Sequence, residues 1–344
     1  MACTNTSMLA TWSLTRLAEQ TLVVPVEEGN VASVAAEVTA GAGGVILFGS
    51  SAPANLASSL HTLTASSPGG IAPLVMTDEE GGVVQRMANL AGSLPSARQM
   101  AATMSPAQIR QLLTTIALRM RAAGVTMDLA PVLDLDNGVG PNNRDPDGTR
   151  SFGLNPNVAA ADGIAFLQGL EAGGVVPVVK HFPGLGQASG NTDVAPATTQ
   201  PWSVLQQAGL LPFKSAIAAG APVVMIANAT VPGLSTLPAS ISATVMTTVL
   251  RGQLGFHGLV MTDSLSAGAL VDIGYSVPRA VVAAITAGAD MVLYTAAAAQ
   301  VASLTSATAT ALVAAVNAGT LTRGRLVSAV ANILSVKRVN LCAG

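Results

Sequence analysis

Val175 to Pro196 reads VVPVVKHFPGLGQASGNTDVAP, and this stretch decides the fold. Its first five residues are apolar and rich in β-branched side chains, the pattern of a strand buried on both faces. Lys180 and His181 follow where such a strand should end. Pro183, Gly184, Gly186 and Gly190 then force a turning loop, whose far side carries Asn191 and Asp193. A buried strand, a basic pair at its tip and a carboxylate on the next loop are how a parallel α/β scaffold presents chemistry. The plainer reading, a connection whose glycines only make turns, is weakened by the charges at other strand tips.

Working outward, short apolar runs alternate with helical patterns along the whole chain. The expected strands are Leu22–Val26, Gly44–Phe48, Pro73–Thr77, Thr126–Ala130, Val175–Val179, Val223–Ala227, Leu259–Thr262 and Met291–Tyr294. Between them, Pro106–Ala123, Val158–Ala172, Trp202–Ala219 and Ala243–Leu254 carry apolar residues at helical spacing, and 300–339 should close the fold as helix. Gly124, Gly173, Gly220 and Gly288 stand where helices stop. Eight strands separated by helices predict an α/β fold, a (β/α)8 TIM barrel. A doubly wound sheet is the rival, but no GxGxxG follows the first strand. No linker or low-complexity segment divides the chain, so residues 1–344 are expected to form a single barrel domain, with 1–7 a flexible N-terminal segment.

Composition narrows the function. Of 344 residues, 50% are hydrophobic and only 10% charged, and the net charge is −2. That gives no electrostatic case for nucleic acid or an anionic membrane. Mean hydropathy is +0.53, and no charge appears from Thr295 to Thr322. Ala dominates that stretch, and Ser, Thr, Gln and Asn interrupt it, so packed barrel helices are expected rather than a transmembrane helix. The two cysteines, Cys3 and Cys342, lie at opposite ends. The ends of a barrel come close together, so a disulfide is open to them. Met1-Ala2-Cys3 before a polar run also matches a lipoprotein cut back to its lipidated cysteine, which implies a cell-envelope or secreted protein. A cytoplasmic start is the alternative.

The scarce charges gather at the carboxyl ends of the strands. Asp78-Glu79-Glu80-Gly81-Gly82 follows the third, with Gln85 and Arg86 behind it. Pro131-Val132-Leu133-Asp134 follows the fourth and leads to Arg150-Ser151-Phe152-Gly153. Lys180-His181 end the fifth, and Asp263 ends the seventh. In a barrel these positions converge on one face, where active sites are built. Singly each is weak: Asp78 or Arg86 fits half of a structural ion pair, and His181 a satisfied core histidine. Asp134, Asp136 and Gly138 resemble the start of a calcium loop, but the other ligands at the required spacing are missing. They read as turn chemistry, and no metal site is expected.

Taken together, Lys180-His181-Phe182-Pro183-Gly184-x-Gly186, Asp78-x-Glu80-Gly81-Gly82-x-Val84-Gln85-Arg86, Ala130-Pro131-Val132-Leu133-Asp134, Arg150-Ser151-Phe152-Gly153 and Thr262-Asp263-x-Leu265-Ser266 resemble glycoside hydrolase family 3. The resemblance is to its single-domain branch, the NagZ-type β-N-acetylglucosaminidases. It implies that Asp263 is the nucleophile of a covalent glycosyl-enzyme, kept ionised by nearby cations. It also implies that Asp78, Arg86, Arg150, Lys180 and His181 hold the hydroxyls of the non-reducing sugar. No cofactor is implied.

The sequence departs from that family in one loop. NagZ-type enzymes carry an Asp-x-His pair there, His as general acid/base and Asp orienting it, where this chain has Asn191-Thr192-Asp193. Asp193 is therefore the expected acid/base, and the Asn191 amide is expected to support it by hydrogen bonding. Asp193 would hold its proton through the nearness of Asp263 and through desolvation when the loop closes. Gly184–Gly190 should make that loop mobile. Val83 stands where the family often has Arg, which bears on aglycone contacts. The expectation is a monomeric, retaining exo-β-N-acetylglucosaminidase whose partner is a small carbohydrate, a GlcNAc-containing muropeptide or a chromogenic glycoside. The alternatives are a family 3 β-glycosidase for glucose or xylose, a phosphate-using transferase, and a non-catalytic sugar-binding protein on the same barrel.

Overall fold

The computed structural model describes residues 3–343. Eight parallel strands close on themselves in chain order: β1 (Leu22–Glu27), β2 (Gly44–Phe48), β3 (Leu74–Thr77), β4 (Met127–Asp128), β5 (Val176–Phe182), β6 (Val223–Ile226), β7 (Leu259–Ser264) and β8 (Met291–Leu293), with β8 pairing back to β1. Each expected strand is present, and the architecture is the (β/α)8 barrel read from the sequence. The strands are apolar on both faces because each face has a core to fill. Val23, Ile46, Met76, Val178 and Met261 point into the barrel, while Val24, Val45, Leu47 and Val75 pack under the outer helices. Met76, Met127, Met225, Met261 and Met291 all belong to the inner core, where unbranched, polarizable side chains fill an irregular space.

The helices follow from local chemistry. Pro106–Ala122 starts on a Ser105–Gln108 capping box with Pro106 in its first turn, and stops before Gly124, whose φ of 93° suits glycine. It packs on Pro156–Ala172, and a Cβ at Gly169 would stand 2.7 Å from the Arg110 carbonyl oxygen, so only glycine allows this approach. The helix expected over Trp202–Ala219 is broken instead: a π-helical turn, Leu205–Gly209, separates Trp202–Val204 from Leu211–Ala218. Pro212 has no N–H to continue the ladder, which accounts for the break.

The uncharged stretch near the C-terminus forms helix Val301–Asn317. By length and composition Ala298–Asn317 could cross a membrane. Here it packs against Val277–Ala287, Leu14–Gln20 and β1, burying Val301, Thr305, Leu312 and Ala315. The closing helix, Arg323–Val336, sends Ile333 into the barrel's inner core.

The N-terminal segment differs from expectation. Residues 1 and 2 lie outside the described residues, but Asn5–Leu9 is a helix capped by Thr4. The Asn5 side chain donates to the Val339 carbonyl at 2.9 Å and accepts from the Leu341 amide at 2.7 Å. Cys3 and Cys342 form a disulfide. Residues 3–7 are therefore fastened to the C-terminal segment, through two hydrogen bonds and a covalent link that the composition alone left open.

Candidate active site

At the carboxyl ends of the strands lies a pocket of about 440 Å³, and all eight singled-out residues line it: Asp78, Arg86, Arg150, Lys180, His181, Asn191, Asp193 and Asp263. A larger cavity, about 830 Å³, opens at the other end of the barrel beside Arg121, His257 and Lys337. The convergent charges and the carboxylate pair are in the smaller one, which marks it as the site.

Two strands are irregular where the chemistry sits. The β5–β6 pairing shifts between Val179 and Phe182, around Lys180 and His181. These two residues are consecutive yet both line the pocket, and the peptide bond between them is cis. The β7–β8 pairing shifts between Met261 and Ser264, around Asp263. Such irregularities re-aim side chains at barrel rims.

The cationic side of the pocket is built on a carboxylate not singled out from the sequence. Glu80, 4% exposed, takes Arg150 in a two-pronged grip, Nε at 2.7 Å and Nη2 at 2.8 Å. Lys180 Nζ stands 2.7 Å from Glu80 Oε1 and donates to Asp78 Oδ1 at 2.9 Å. Burial alone would raise the Glu80 carboxyl, but the Arg150 and Lys180 cations outweigh it and hold Glu80 far below the usual carboxylate range. For Lys180 the balance is mirrored: burial favours the neutral amine, and Asp78 and Glu80 overcome it, so Lys180 stays charged. Glu79 accepts the Arg86 backbone N–H at 2.7 Å and the Gln85 side chain at 2.9 Å, holding the hairpin that presents Arg86. Arg86 approaches Asp78 at 3.9 Å.

His181 is held by Asp134. The His181 backbone N–H donates to Asp134 Oδ2 at 3.0 Å, the ring Nδ1 lies 2.6 Å from the same oxygen, and the Leu185 amide donates to Oδ1 at 2.6 Å. Burial pushes His181 down to about 4, so the ring is neutral at neutral pH. The bond to Asp134 assigns the proton to Nδ1 and leaves Nε2 as an acceptor. Burial also pushes Asp134 up to about 7, against the two amide donors. The turn reading thus fits Asp136, whose carboxylate accepts the Gly138 and Gln187 amides, but Asp134 orients the histidine. Asp147 lies beside them, fully buried, with neither oxygen hydrogen-bonded. Burial and the neighbouring Asp134 push it up to about 8. Atoms of Asp134, Asp147 and His181 come within 4.8 Å of one another. The Asp134 oxygens already serve two amides and the imidazole, while Asp147 adds two unpartnered oxygens to the group.

Asp263, at the tip of β7, accepts the Ser264 amide at 2.7 Å. Buried Asn228, two residues past the end of β6, donates to the Ser264 carbonyl at 2.7 Å and steadies that tip. Desolvation raises the Asp263 carboxyl and the Asp193 charge raises it further, while the Ser264 amide and Lys180 oppose both. Of the nearby cations expected to keep the nucleophile ionised, Lys180 is in place, but it only partly offsets the burial of Asp263. Asp193 is solvent-exposed, so the burial expected around an acid is not present in this arrangement of the loop. Asn191 supports Asp193 differently from expectation: its side-chain oxygen accepts the Asp193 backbone N–H at 2.9 Å rather than pairing with the carboxyl. Gly186 serves close packing, since a Cβ there would meet the Leu135 carbonyl oxygen at 2.2 Å.

Asp263 and Asp193 line one pocket at the top of a (β/α)8 barrel, beside the ion-paired Asp78 and Glu80 and neutral and cationic hydrogen-bonding groups, an arrangement suited to glycoside processing. The chain belongs to glycosyl hydrolase family 3: the model of that family's N-terminal domain matches residues 20–336. Among curated proteins, the beta-hexosaminidase LpqI of Mycobacterium tuberculosis is 38% identical over 238 residues, 66% of this chain and 59% of the relative. The aligned region therefore spans less than two thirds of that relative's length. The solved structure of Mycobacterium tuberculosis LpqI superposes with a TM-score of 0.86 at 30% identity, covering 98% of this chain and 97% of the other. A beta-N-acetylhexosaminidase from Beutenbergia cavernae gives 0.85 at 31% identity, covering 96% and 100%.

Proposed function

We propose that the protein is a retaining exo-β-N-acetylglucosaminidase that hydrolyses terminal N-acetylglucosamine from peptidoglycan-derived fragments and from aryl β-N-acetylglucosaminides. The observation that carries this reading is that Asp263 and Asp193 line one pocket at the strand tips together with the ion-paired Asp78, Arg150 and Lys180. The names of the relatives supply the sugar.

In the first half-reaction an Asp263 oxygen bonds to the anomeric carbon and the bond to the leaving oxygen breaks, with Asp193 delivering the proton that oxygen needs. In the second, Asp193 takes a proton from water, whose oxygen displaces Asp263 from the same carbon. Retention requires the two carboxyl groups about 5–5.5 Å apart as the bonds change. Lys180, Arg150, Asp78, Arg86 and the Nε2 acceptor of His181 hold the sugar hydroxyls, and the ion pairs among them fix these groups before substrate arrives. The site acts within one barrel domain, as a monomer.

A Cys3–Cys342 disulfide persists in an oxidising compartment, which supports a location outside the reducing cytoplasm. A sulfur so bonded cannot also carry a thioether-linked lipid, and the mass of the purified protein decides between the two.

The test is hydrolysis of 4-nitrophenyl β-N-acetylglucosaminide by wild type, Asp263→Ala and Asp193→Ala, with and without azide. A nitrophenol leaves with little protonation, so the second step should limit Asp193→Ala, and azide should restore it with a β-glycosyl azide as product. An unimpaired Asp193→Ala enzyme would remove Asp193 from the reaction. A wild type that binds the sugar without turnover would make the barrel a binding protein.

A further inference from the structure

The loop carrying Asp193 is fastened to the strand carrying Asp263, and the fastening passes through one glycine. After β7 ends at Ser264, a short helix begins at Gly268. The Gly268 N–H donates to the Asp193 carbonyl at 3.0 Å, and the Ala269 N–H donates to the Thr192 carbonyl at 2.9 Å. Thr192 is buried between them. On the other side, the Asn191 N–H donates to the Asn143 carbonyl at 3.2 Å, and the Asn191 side-chain oxygen accepts from the Asp193 N–H. The backbone of Asn191-Thr192-Asp193 is thus tied from two directions, to the loop after β4 and to the chain leaving the nucleophile.

Gly268 is not needed there for its conformation, because its φ lies outside the left-handed region. It is needed for space. A Cβ would stand 2.3 Å from the Val194 carbonyl oxygen and 2.5 Å from its carbon. Both are backbone atoms of the residue after Asp193, so a methyl group at 268 can fit only if the Val194 backbone and the helix start at 268 move apart, which pulls on the Asp193 carbonyl bonded to the Gly268 N–H. Ordinary contact begins at about 3.4 Å, so the required retreat is roughly 1 Å, a displacement able to cost on the order of 10²-fold in rate at a reacting centre.

We propose that Gly268 is a positioning residue that sets how closely Asp193 approaches Asp263. This rests on the reading of Asp193 as the acid/base. The helix start and the nucleophile share one stretch of chain, so the same backbone that aims Asp263 also fixes its partner. The bare Cα at 268 lets the backbone of Asp193 and Val194 lie against the chain that leaves Asp263.

The test compares wild type, Asp193→Ala, Gly268→Ala and Asn191→Ala on two substrates. One is 2,4-dinitrophenyl β-N-acetylglucosaminide, whose leaving group needs no proton; the other is N,N′-diacetylchitobiose, whose leaving group does. Gly268→Ala should lose about 10²-fold in kcat/KM on the disaccharide and only a few-fold on the dinitrophenyl glycoside. Azide should raise its kcat on the dinitrophenyl substrate, with a β-glycosyl azide formed. An equal loss on both substrates, or a loss on neither, overturns the proposal. If Gly268→Ala does not fold, Asn191→Ala carries the test, because it frees the Asp193 amide without adding a methyl group. It should show the same split, and its absence overturns the proposal. Failure of the functional reading looks different, because wild type would be inert on both substrates or Asp193→Ala would show no split.

Discussion

Glu80 and Arg150 are joined side by side, two nitrogens of the guanidinium on two oxygens of the carboxylate, in the lining of the strand-tip pocket. Lys180 leans on the same carboxylate. One buried anion therefore orders two cations that line the pocket.

Removing that anion leaves two cations without their shared counter-charge. Glu80→Ala should destabilise the fold by about 3–5 kcal/mol, the cost of breaking a buried ion pair from one side. It should also raise KM, because Arg150 and Lys180 lose their fixed positions. Denaturant melts and Michaelis curves of the variant check this; a loss below about 1 kcal/mol would mean that the pair behaves like a surface contact.

Asp263→Asn should lower kcat on the order of 10⁴-fold or more, the scale seen when a covalent nucleophile is removed. Intact mass of wild type treated with a 2-fluoro-glycosyl fluoride should show one added sugar, and the variant should show none.

Stability should fall as pH rises from about 4 to about 8, and Asp147 should account for part of the slope. Its folded carboxyl is pushed up to about 8 from an ordinary value of 3.8. Between those limits the folded state binds a proton that the unfolded state has released, so raising the pH favours unfolding. Asp134 and Glu19, both raised to about 7, add slope of the same sign. His181, lowered to about 4, gives the opposite slope between about 4 and its ordinary 6.5, because there only the unfolded state is protonated. Asp147→Asn should match wild type near pH 4 and melt higher at pH 8. Thermal melts across that range measure the difference, and parallel curves would rule out Asp147 as a source.

Cys342→Ser should cost about 2–4 kcal/mol, the usual worth of a disulfide, and leave kcat/KM nearly unchanged, because the link lies away from the pocket. Thiol titration of unreduced, denatured wild type should find no free sulfhydryl.

The barrel was legible because each strand is a short apolar run with a turn signal behind it, and a parallel strand covered on both faces has no other way to be written. The site was legible at strand tips, where Lys180, His181 and Asp263 follow directly from where the runs end. What escaped were pairs distant in sequence. Glu80 and Arg150 are 70 residues apart, and Asp134 and His181 are 47 apart. Nothing in either local stretch says that one carboxylate will hold a pocket-lining cation or that the other will set a histidine's tautomer. Glu80 stood in the quoted Asp-Glu-Glu run, and the signal passed over was three consecutive acids at a barrel tip, which need cations if they are buried. The break at Leu205–Gly209 was foreshadowed by Pro212 alone.

The clasp between Cys3 and Cys342 has a consequence for the chain as an object. With residues 3 and 342 covalently joined, the backbone between them is a ring. A protease that nicks any surface loop opens that ring into a single new linear molecule, where an unlinked barrel would be left as two separable pieces. Damage of that kind changes where the chain starts without changing how many parts it has.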